Sequence, residues 1–179
     1  MKGAEAIVKL GKLIGKKVVI KDRIPKKYRI EEIDQKLRKE RTKKEARLLH
    51  KAKLSGVKCP TVLEVEEFRL VLELLPGKRK MNKDIAYKAG EILAKLHDAG
   101  IIHGDFTVAN LLYARKIVSV IDFGLGFFST EIEHKAIDVL TMINSTPYQK
   151  SFLDGYKKHN DYKKVLDRME IIKKRTRYS

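Results

Sequence analysis

The chain has a single cysteine, Cys59, and no tryptophan. A lone thiol excludes an internal disulfide and a cysteine-built zinc site, and the five scattered histidines offer no ligand spacing in its place. Long apolar runs are also missing. None approaches the ~20 residues that span a bilayer, and lysines interrupt every would-be signal core near the start. These absences set aside export, a disulfide scaffold and a membrane span, and an intracellular, cytoplasmic protein with no membrane partner is expected. Acids are scarce beside bases: 23 Asp and Glu against 40 Lys and Arg leave a formal charge of +17. Such a surplus favours a polyanionic partner, RNA ahead of an anionic membrane surface. Heat-adapted surfaces are also rich in Lys and Glu, but that accounts for the number of charges and not for their sign. The length of 179 residues suits one compact domain or two small lobes sharing a cleft.

What the chain does carry is concentrated in residues 101–124. His103-Gly104-Asp105 is followed five residues later by Asn110, then by two short apolar segments, then by Asp122-Phe123-Gly124. The segments 110–114 and 117–121 read as two buried strands with a tight turn at Arg115-Lys116, which brings the loop and Asp122 to one cleft. Phosphoryl transfer needs metal-neutralised phosphates and an oriented hydroxyl or water more than covalent chemistry. Asp122 and Asn110 supply oxygen ligands of the kind Mg²⁺ takes. Asp105 can accept a proton from the attacking oxygen or orient it. Asp-Phe-Gly alone recurs by chance, but the three elements in this order and spacing point to nucleotide phosphates rather than to solvated loop acids.

Upstream, an apolar stretch at 6–8 and another at 18–20, ending on Lys21, predict a hairpin with its turn near 11–17. Gly3, Ala4, Glu5, Ala6, Ile7 and Val8 precede Lys21 by the distance that lets them lie over phosphates, although one glycine and an acid make a poor glycine-rich loop. Lys21 after Val-Val-Ile resembles the strand lysine with which kinases hold the α- and β-phosphates. From Glu31 to Leu54 the composition is helical, and Leu37, Arg41, Glu45, Leu48, Leu49 and Ala52 share one face. Glu45 on that inward stripe requires a cation, for which Lys21 is the candidate. Glu40 points elsewhere. The basic set Lys36, Arg38, Lys39, Arg41, Lys43, Lys44 and Arg47 is either a solvated face or a contact for RNA or a partner.

Segments 61–66 and 68–73 read as a strand pair stopped by Leu74-Leu75-Pro76-Gly77, and a five-strand front half is expected. Backbone groups of Glu73 and Leu75 there are candidates to read an adenine edge, or the segment is a plain turn. Asn82 caps a helix to Ala99 with Ile85, Ala89, Ile92, Leu93 and Leu96 inward, and His97 reads as a satisfied core histidine. Helices follow at 131–144, 149–159 and 162–173. Asp138 either caps the catalytic loop from below or is a solvated helix acid. Lys173, Lys174, Arg175 and Arg177 form a basic end, a candidate contact for tRNA or a partner.

With these residues placed, the chain resembles the small atypical kinase/ATPase subunit of the KEOPS complex nearly end to end. The stretches that carry the likeness are Gly3-Ala4-Glu5-Ala6, the run from Lys21 to Arg29, the helix around Glu45-Ala46-Arg47-Leu48-Leu49, the loop up to Asn110, Asp122-Phe123-Gly124 and the Arg175-Thr176-Arg177-Tyr178 end. The resemblance implies an α+β, reduced bilobal protein-kinase-like fold. Its N-lobe, 1–75, would be an antiparallel sheet with one long helix. Its C-lobe, 76–179, would be small, mostly helical and without a full activation segment. It also implies Mg²⁺ and ATP in the cleft, association with the threonylcarbamoyl transferase and other KEOPS subunits, and a role in making N6-threonylcarbamoyladenosine in tRNA. Lys21 and Glu45 would set the phosphates, Asn110 and Asp122 hold metal, and Asp105 orient the nucleophile.

Some positions depart from regulated kinases. Only 13 residues separate Gly124 from Asp138, with no Ala-Pro-Glu between, so little remains to hold a peptide substrate. Gly104 replaces the arginine that grips a phosphorylated activation loop, and Thr107 replaces a phosphate-contacting lysine. These departures favour ATP hydrolysis over efficient protein phosphorylation. Two rivals stand beside this reading: a stand-alone protein or small-molecule kinase of the His-Gly-Asp type, and a non-catalytic adaptor that retains the fold.

Overall fold

The computed structural model describes residues 6–26 and 28–176. The first described element is an antiparallel hairpin of β1 (Ala6–Leu13) and β2 (Lys16–Arg23), followed by the long helix α1 (Glu31–Leu54) and the strands β3 (Val62–Val65) and β4 (Arg69–Glu73). Among the described residues the sheet has four strands in the order β1-β2-β4-β3, not five. The hairpin turn is tighter than the sequence suggests. Gly11 lies within β1 and the chain reverses at Ile14-Gly15, both with left-handed φ (48° and 73°), because the β1–β2 register runs unbroken to Leu13↔Lys16.

A helix α2 (Lys83–Asp98) opens the second half, its start fixed by the Asn82 side chain, which accepts a hydrogen bond from the Ile85 backbone N–H. The short strand β5 (Ile101–Ile102) leads through a 3₁₀ turn to the hairpin of β6 (Leu111–Ala114) and β7 (Ile117–Val120). Arg115 and Lys116 make its two-residue turn with φ of 48° and 65°, although neither is a residue that favours this conformation. Strand β8 (Phe127–Phe128) pairs back on β5, and helices α3 (Ile132–Ser145), α4 (Gln149–Tyr156) and α5 (Tyr162–Thr176) complete the fold. The fold is the reduced bilobal, kinase-like α+β arrangement expected from the sequence: an antiparallel sheet with one long helix, followed by a mostly helical half.

One apolar core joins the two halves. Leu48, Leu49 and Ala52 of α1 and Leu70 and Leu72 of β4 meet Ile85, Ala89 and Leu93 of α2, and Val139, Met142, Phe152 and Val165 extend the same cluster. The approach of α4 to α2 depends on two glycines. A Cβ on Gly90 would lie 2.1 Å from the Phe152 carbonyl oxygen, and one on Gly155 would lie 2.0 Å from the Tyr87 carbonyl oxygen. Neither position leaves room for a methyl group without moving backbone. Gly90→Ala should therefore destabilise the protein despite alanine's better helix propensity. The propensity gain is about 1 kcal/mol, whereas forcing two packed helices apart costs about 1–3 kcal/mol or more. Urea unfolding should show a lower midpoint at an unchanged slope.

Candidate active site

Strand periodicity places Lys21 and Arg23 of β2 on the same buried face, directed at α1. There Glu45 divides its carboxylate between them: Lys21 Nζ donates to Oε1 at 2.7 Å and Arg23 Nη2 to Oε2 at 2.6 Å. The Glu45 side chain is only 1% exposed, so these two bonds replace almost all of its hydration. Lys21 reaches further, to Asp122 Oδ1 at 2.6 Å. Burial pulls the Lys21 pKa down, but Glu45 and then Asp122 outweigh it and hold the ammonium above its ordinary value. Asp122 is likewise opposed by partial burial, yet Lys21 keeps its carboxyl below the usual range. Arg23 is the partner that sequence reasoning missed. Its position two residues beyond Lys21 in a strand was the available signal.

Helix α1 presents Glu45, Leu48, Leu49 and Ala52 inward as expected, while Leu37 and Arg41 are only half-buried and Glu40 is exposed. The buried residues of its first half are Asp34 and Thr42. Asp34 accepts from Arg38 Nε at 2.7 Å and from the Lys26 backbone N–H at 3.3 Å, and Thr42 donates to the Arg38 carbonyl.

The catalytic-loop candidates are gathered by backbone bonds. Asn110 Nδ2 donates to both the Asp105 carbonyl and Asp105 Oδ2, each at 2.9 Å, which turns the amide oxygen away from Asp105. His103 is fully buried. Its Nδ1 accepts from the Asp105 N–H at 3.3 Å, so Nε2 carries the proton and donates to the Ile121 carbonyl at 3.2 Å. The loop is thus tied to the residue before Asp122, whose own φ of 63° is left-handed. Beneath them, Asp138 of α3 accepts from the backbone N–H groups of His103 at 2.6 Å and Gly104 at 2.8 Å. Of the two readings of Asp138, the cap is the one found. Gly104 cannot carry a side chain, since a Cβ there would meet the Leu125 carbonyl oxygen at 2.4 Å and its φ is 78°.

The other candidates are less gathered. Ala6, Ile7 and Val8 lie on β1 opposite Arg23, Asp22 and Lys21, while Gly3, Ala4 and Glu5 lie outside the described residues. Glu73 donates its N–H to the Thr61 carbonyl at 2.8 Å and its carboxylate accepts from the Thr61 N–H and hydroxyl, which ties it to the approach of β3. Leu75 is buried. Lys173, Lys174 and Arg175 belong to the last turn of α5, and Arg177 lies outside the described residues. Among the described residues no three carboxylate, histidine or cysteine groups converge as an all-protein metal cage. Asp122 and Asn110 offer one carboxylate and one amide oxygen instead. That set fits Mg²⁺, which keeps waters and substrate phosphates as its remaining ligands. No helix among these residues is long and apolar enough to cross a membrane.

The family profile of the RIO domain matches residues 7–142. The chain belongs to the RIO-domain family. It is 40% identical over 187 residues to the "Probable serine/threonine-protein kinase BUD32 homolog" of Archaeoglobus fulgidus, covering 98% of this chain and 94% of that one. It is also 40% identical over 190 residues to a "Probable bifunctional tRNA threonylcarbamoyladenosine biosynthesis protein" of Methanosarcina acetivorans, covering 99% of this chain and 35% of that protein. The chain thus spans about a third of the length of relatives of this second kind. Among solved structures it resembles the Rio2 kinase of Chaetomium thermophilum in its ADP/Mg²⁺-phosphoaspartate complex, with a TM-score of 0.70, 15% identity, and coverage of 100% of this chain and 70% of that one. The macrolide 2'-phosphotransferase MphH of Brachybacterium faecium gives a TM-score of 0.67 at 14% identity over 94% of this chain and 78% of that one. These two likenesses are likenesses of fold. An atypical protein-kinase enzyme is what the family and the fold together support.

Two outcomes follow from the buried charges. Glu45→Ala would leave Lys21 and Arg23 buried and facing each other, which should cost about 3–5 kcal/mol in chemical denaturation. His97 and His103 are both held below their ordinary pKa of 6.5, first by burial, against the pull of Asp138. The unfolded chain therefore binds protons that the folded one refuses. Stability should be fully present above about pH 6.5 and decline as pH falls toward 5, which a series of thermal midpoints from pH 8 to 5 would read.

Proposed function

We propose that this chain is a Mg²⁺-dependent ATPase and atypical serine/threonine kinase that works as a subunit of the KEOPS assembly making N6-threonylcarbamoyladenosine in tRNA. The observation that carries the reading is the position of Lys21, bonded to Glu45 on one side and to Asp122 on the other. A cation held between an anchoring carboxylate and an exposed one is poised to exchange the exposed partner for phosphate oxygens. Glu45 keeps it in place while it does so. In this reading the sheet lobe ends at residue 75 and the helical lobe begins at 76.

Each side chain then has a task. Lys21 holds the α- and β-phosphates, and Ala6, Ile7 and Val8 flank it from β1. Asp122 and Asn110 would hold Mg²⁺, which when bound neutralises phosphate charge. Asp105, its Oδ2 fixed by Asn110, orients the attacking water or hydroxyl and takes its proton. Glu73 and Leu75 lie at the end of β4, where the base would be read. The relatives called bifunctional extend well beyond the third that this chain matches. That supports a division of labour in which a transferase partner and tRNA complete the activity, with Lys173, Lys174, Arg175 and Arg177 as candidates to meet them.

The test is ATP turnover by the wild-type chain and by Asp122→Asn, alone and in the assembly with its transferase partner, with and without tRNA. Asp122→Asn should lose at least about 100-fold in turnover while unfolding at the same temperature within a few degrees. Stimulation by tRNA in the assembly supports the proposal. Rapid phosphorylation of a small acceptor by the isolated chain would instead make it a self-sufficient kinase, and an absence of Mg²⁺-dependent ATP binding would leave an adaptor.

A further inference from the structure

Asp138 carries the catalytic loop, and something must hold Asp138. His97 Nε2 approaches its Oδ2 at 3.4 Å, and His97 Nδ1 lies 2.6 Å from the Tyr156 hydroxyl. A carboxylate only accepts, so Nε2 bears the proton that faces it. A neutral imidazole then presents a bare Nδ1, and the Tyr156 hydroxyl is the donor that satisfies it. Burial works in the same direction, keeping His97 neutral and pushing the Tyr156 phenol well above its ordinary range. The depth at which Tyr156 sits is set by the neighbouring Gly155, whose missing side chain lets α4 touch the Tyr87 carbonyl of α2.

We propose that Tyr156 is a positioning residue for phosphoryl transfer: by donating to His97 Nδ1 it satisfies that buried nitrogen and seats the ring whose Nε2–H holds Asp138 beneath His103 and Gly104. The proposal rests on the reading of the site given above. Asp105 follows Gly104 directly, so the carboxylate that orients the nucleophile inherits the register that Asp138 gives the loop. Removing the hydroxyl leaves His97 Nδ1 buried without a donor. Asp138 still requires a proton on Nε2, so the ring is freed to shift or to take a second proton, which draws the carboxylate into an ion pair. Either change weakens the hold on the two backbone N–H groups. The other titrating groups that act on His97 are Asp138 and Lys135 from α3 and His159 from the turn before α5, which is itself bonded to Asp98 of α2.

Tyr156→Phe keeps the ring and its packing against Phe152. It should lower kcat for ATP hydrolysis by roughly 10-fold, short of the hundredfold that a 1 Å misplacement costs, with KM for ATP within about twofold. The acid limb of its kcat–pH profile should move to higher pH, because the bare Nδ1 takes a proton more readily. His97→Gln supplies the control. Its amide nitrogen can donate to Asp138 but can neither shift tautomer nor titrate, so adding Tyr156→Phe in that background should leave the pH profile unmoved. Imidazole nitrogen shifts measured by NMR on the wild-type chain should report the Nε2–H form of His97.

A wild-type His97 protonated at Nδ1 overturns the proposal. So does a Tyr156→Phe chain with unaltered kcat and acid limb, or an equal loss of kcat in the His97→Gln background. If the wild-type chain hydrolyses no ATP, the functional reading fails, and the NMR measurement still decides the tautomer.

Discussion

A carboxylate buried to 1% exposure organises this molecule. Glu45 could not sit beneath the sheet as a free anion, because losing its water would cost more than α1 gains by packing there. Two cations from one strand, each within 2.7 Å, make the burial tolerable, and in doing so they lock α1 against β2. The same arrangement leaves Lys21 with a direction. Its ammonium is held from behind by a side chain that water does not reach, while ahead of it stands Asp122, whose side chain is 52% exposed. Coulomb attraction is strong on the dry side and screened on the wet side. Of the two bonds that Lys21 makes, the one to Asp122 is therefore the easier to exchange.

That balance explains why so polar a helix can serve as the long helix of the lobe. Only the second half of α1, with Leu48, Leu49 and Ala52, joins the core. The first half is held by Asp34, which gathers Arg29, Arg38 and the Lys26 backbone N–H, and by Arg38 lying over the Phe68 ring at 4.0 Å. One end of α1 is thus attached by apolar contact and the other by charge, with Glu45 near the junction.

Much of this was legible in the sequence where local rules suffice. Helical spacing put Glu45 inward, the apolar run before Lys21 made a strand, Asn82 sits at a helix start, and Arg115-Lys116 falls between two short strands. The hairpin turn was misplaced because Gly11 reads as a turn residue, whereas it serves as a gap for Ile20, whose Cδ1 lies 2.4 Å from where a Cβ would be. Arg23 was within reach of strand periodicity, but the apolar run was taken to end on Lys21, two residues short of it. Asp138 stayed open for a deeper reason. Whether a helix acid is solvated or caps a loop depends on what chain arrives from 34 or 35 residues away, and no local pattern encodes that. The relation of Tyr156 to His97, 59 residues apart, is of the same kind.

The segment after Asp122 shows how the fold narrows what such a site can do. Gly126 donates to the Phe123 carbonyl, Phe127 and Phe128 pair with Ile102 and Ile101, and Ser129 donates to the Gly100 carbonyl before α3 opens at Ile132. The segment is thereby turned back on itself and paired with β5, which leaves few residues between Asp122 and α3 to form a platform for an extended peptide. Gly104 adds to the constraint, since the Leu125 carbonyl occupies the space where an arginine side chain would begin. A phosphate on this segment would therefore find no partner from that position of the loop. The freedom that remains lies ahead of Lys21, in its bond to the half-exposed Asp122.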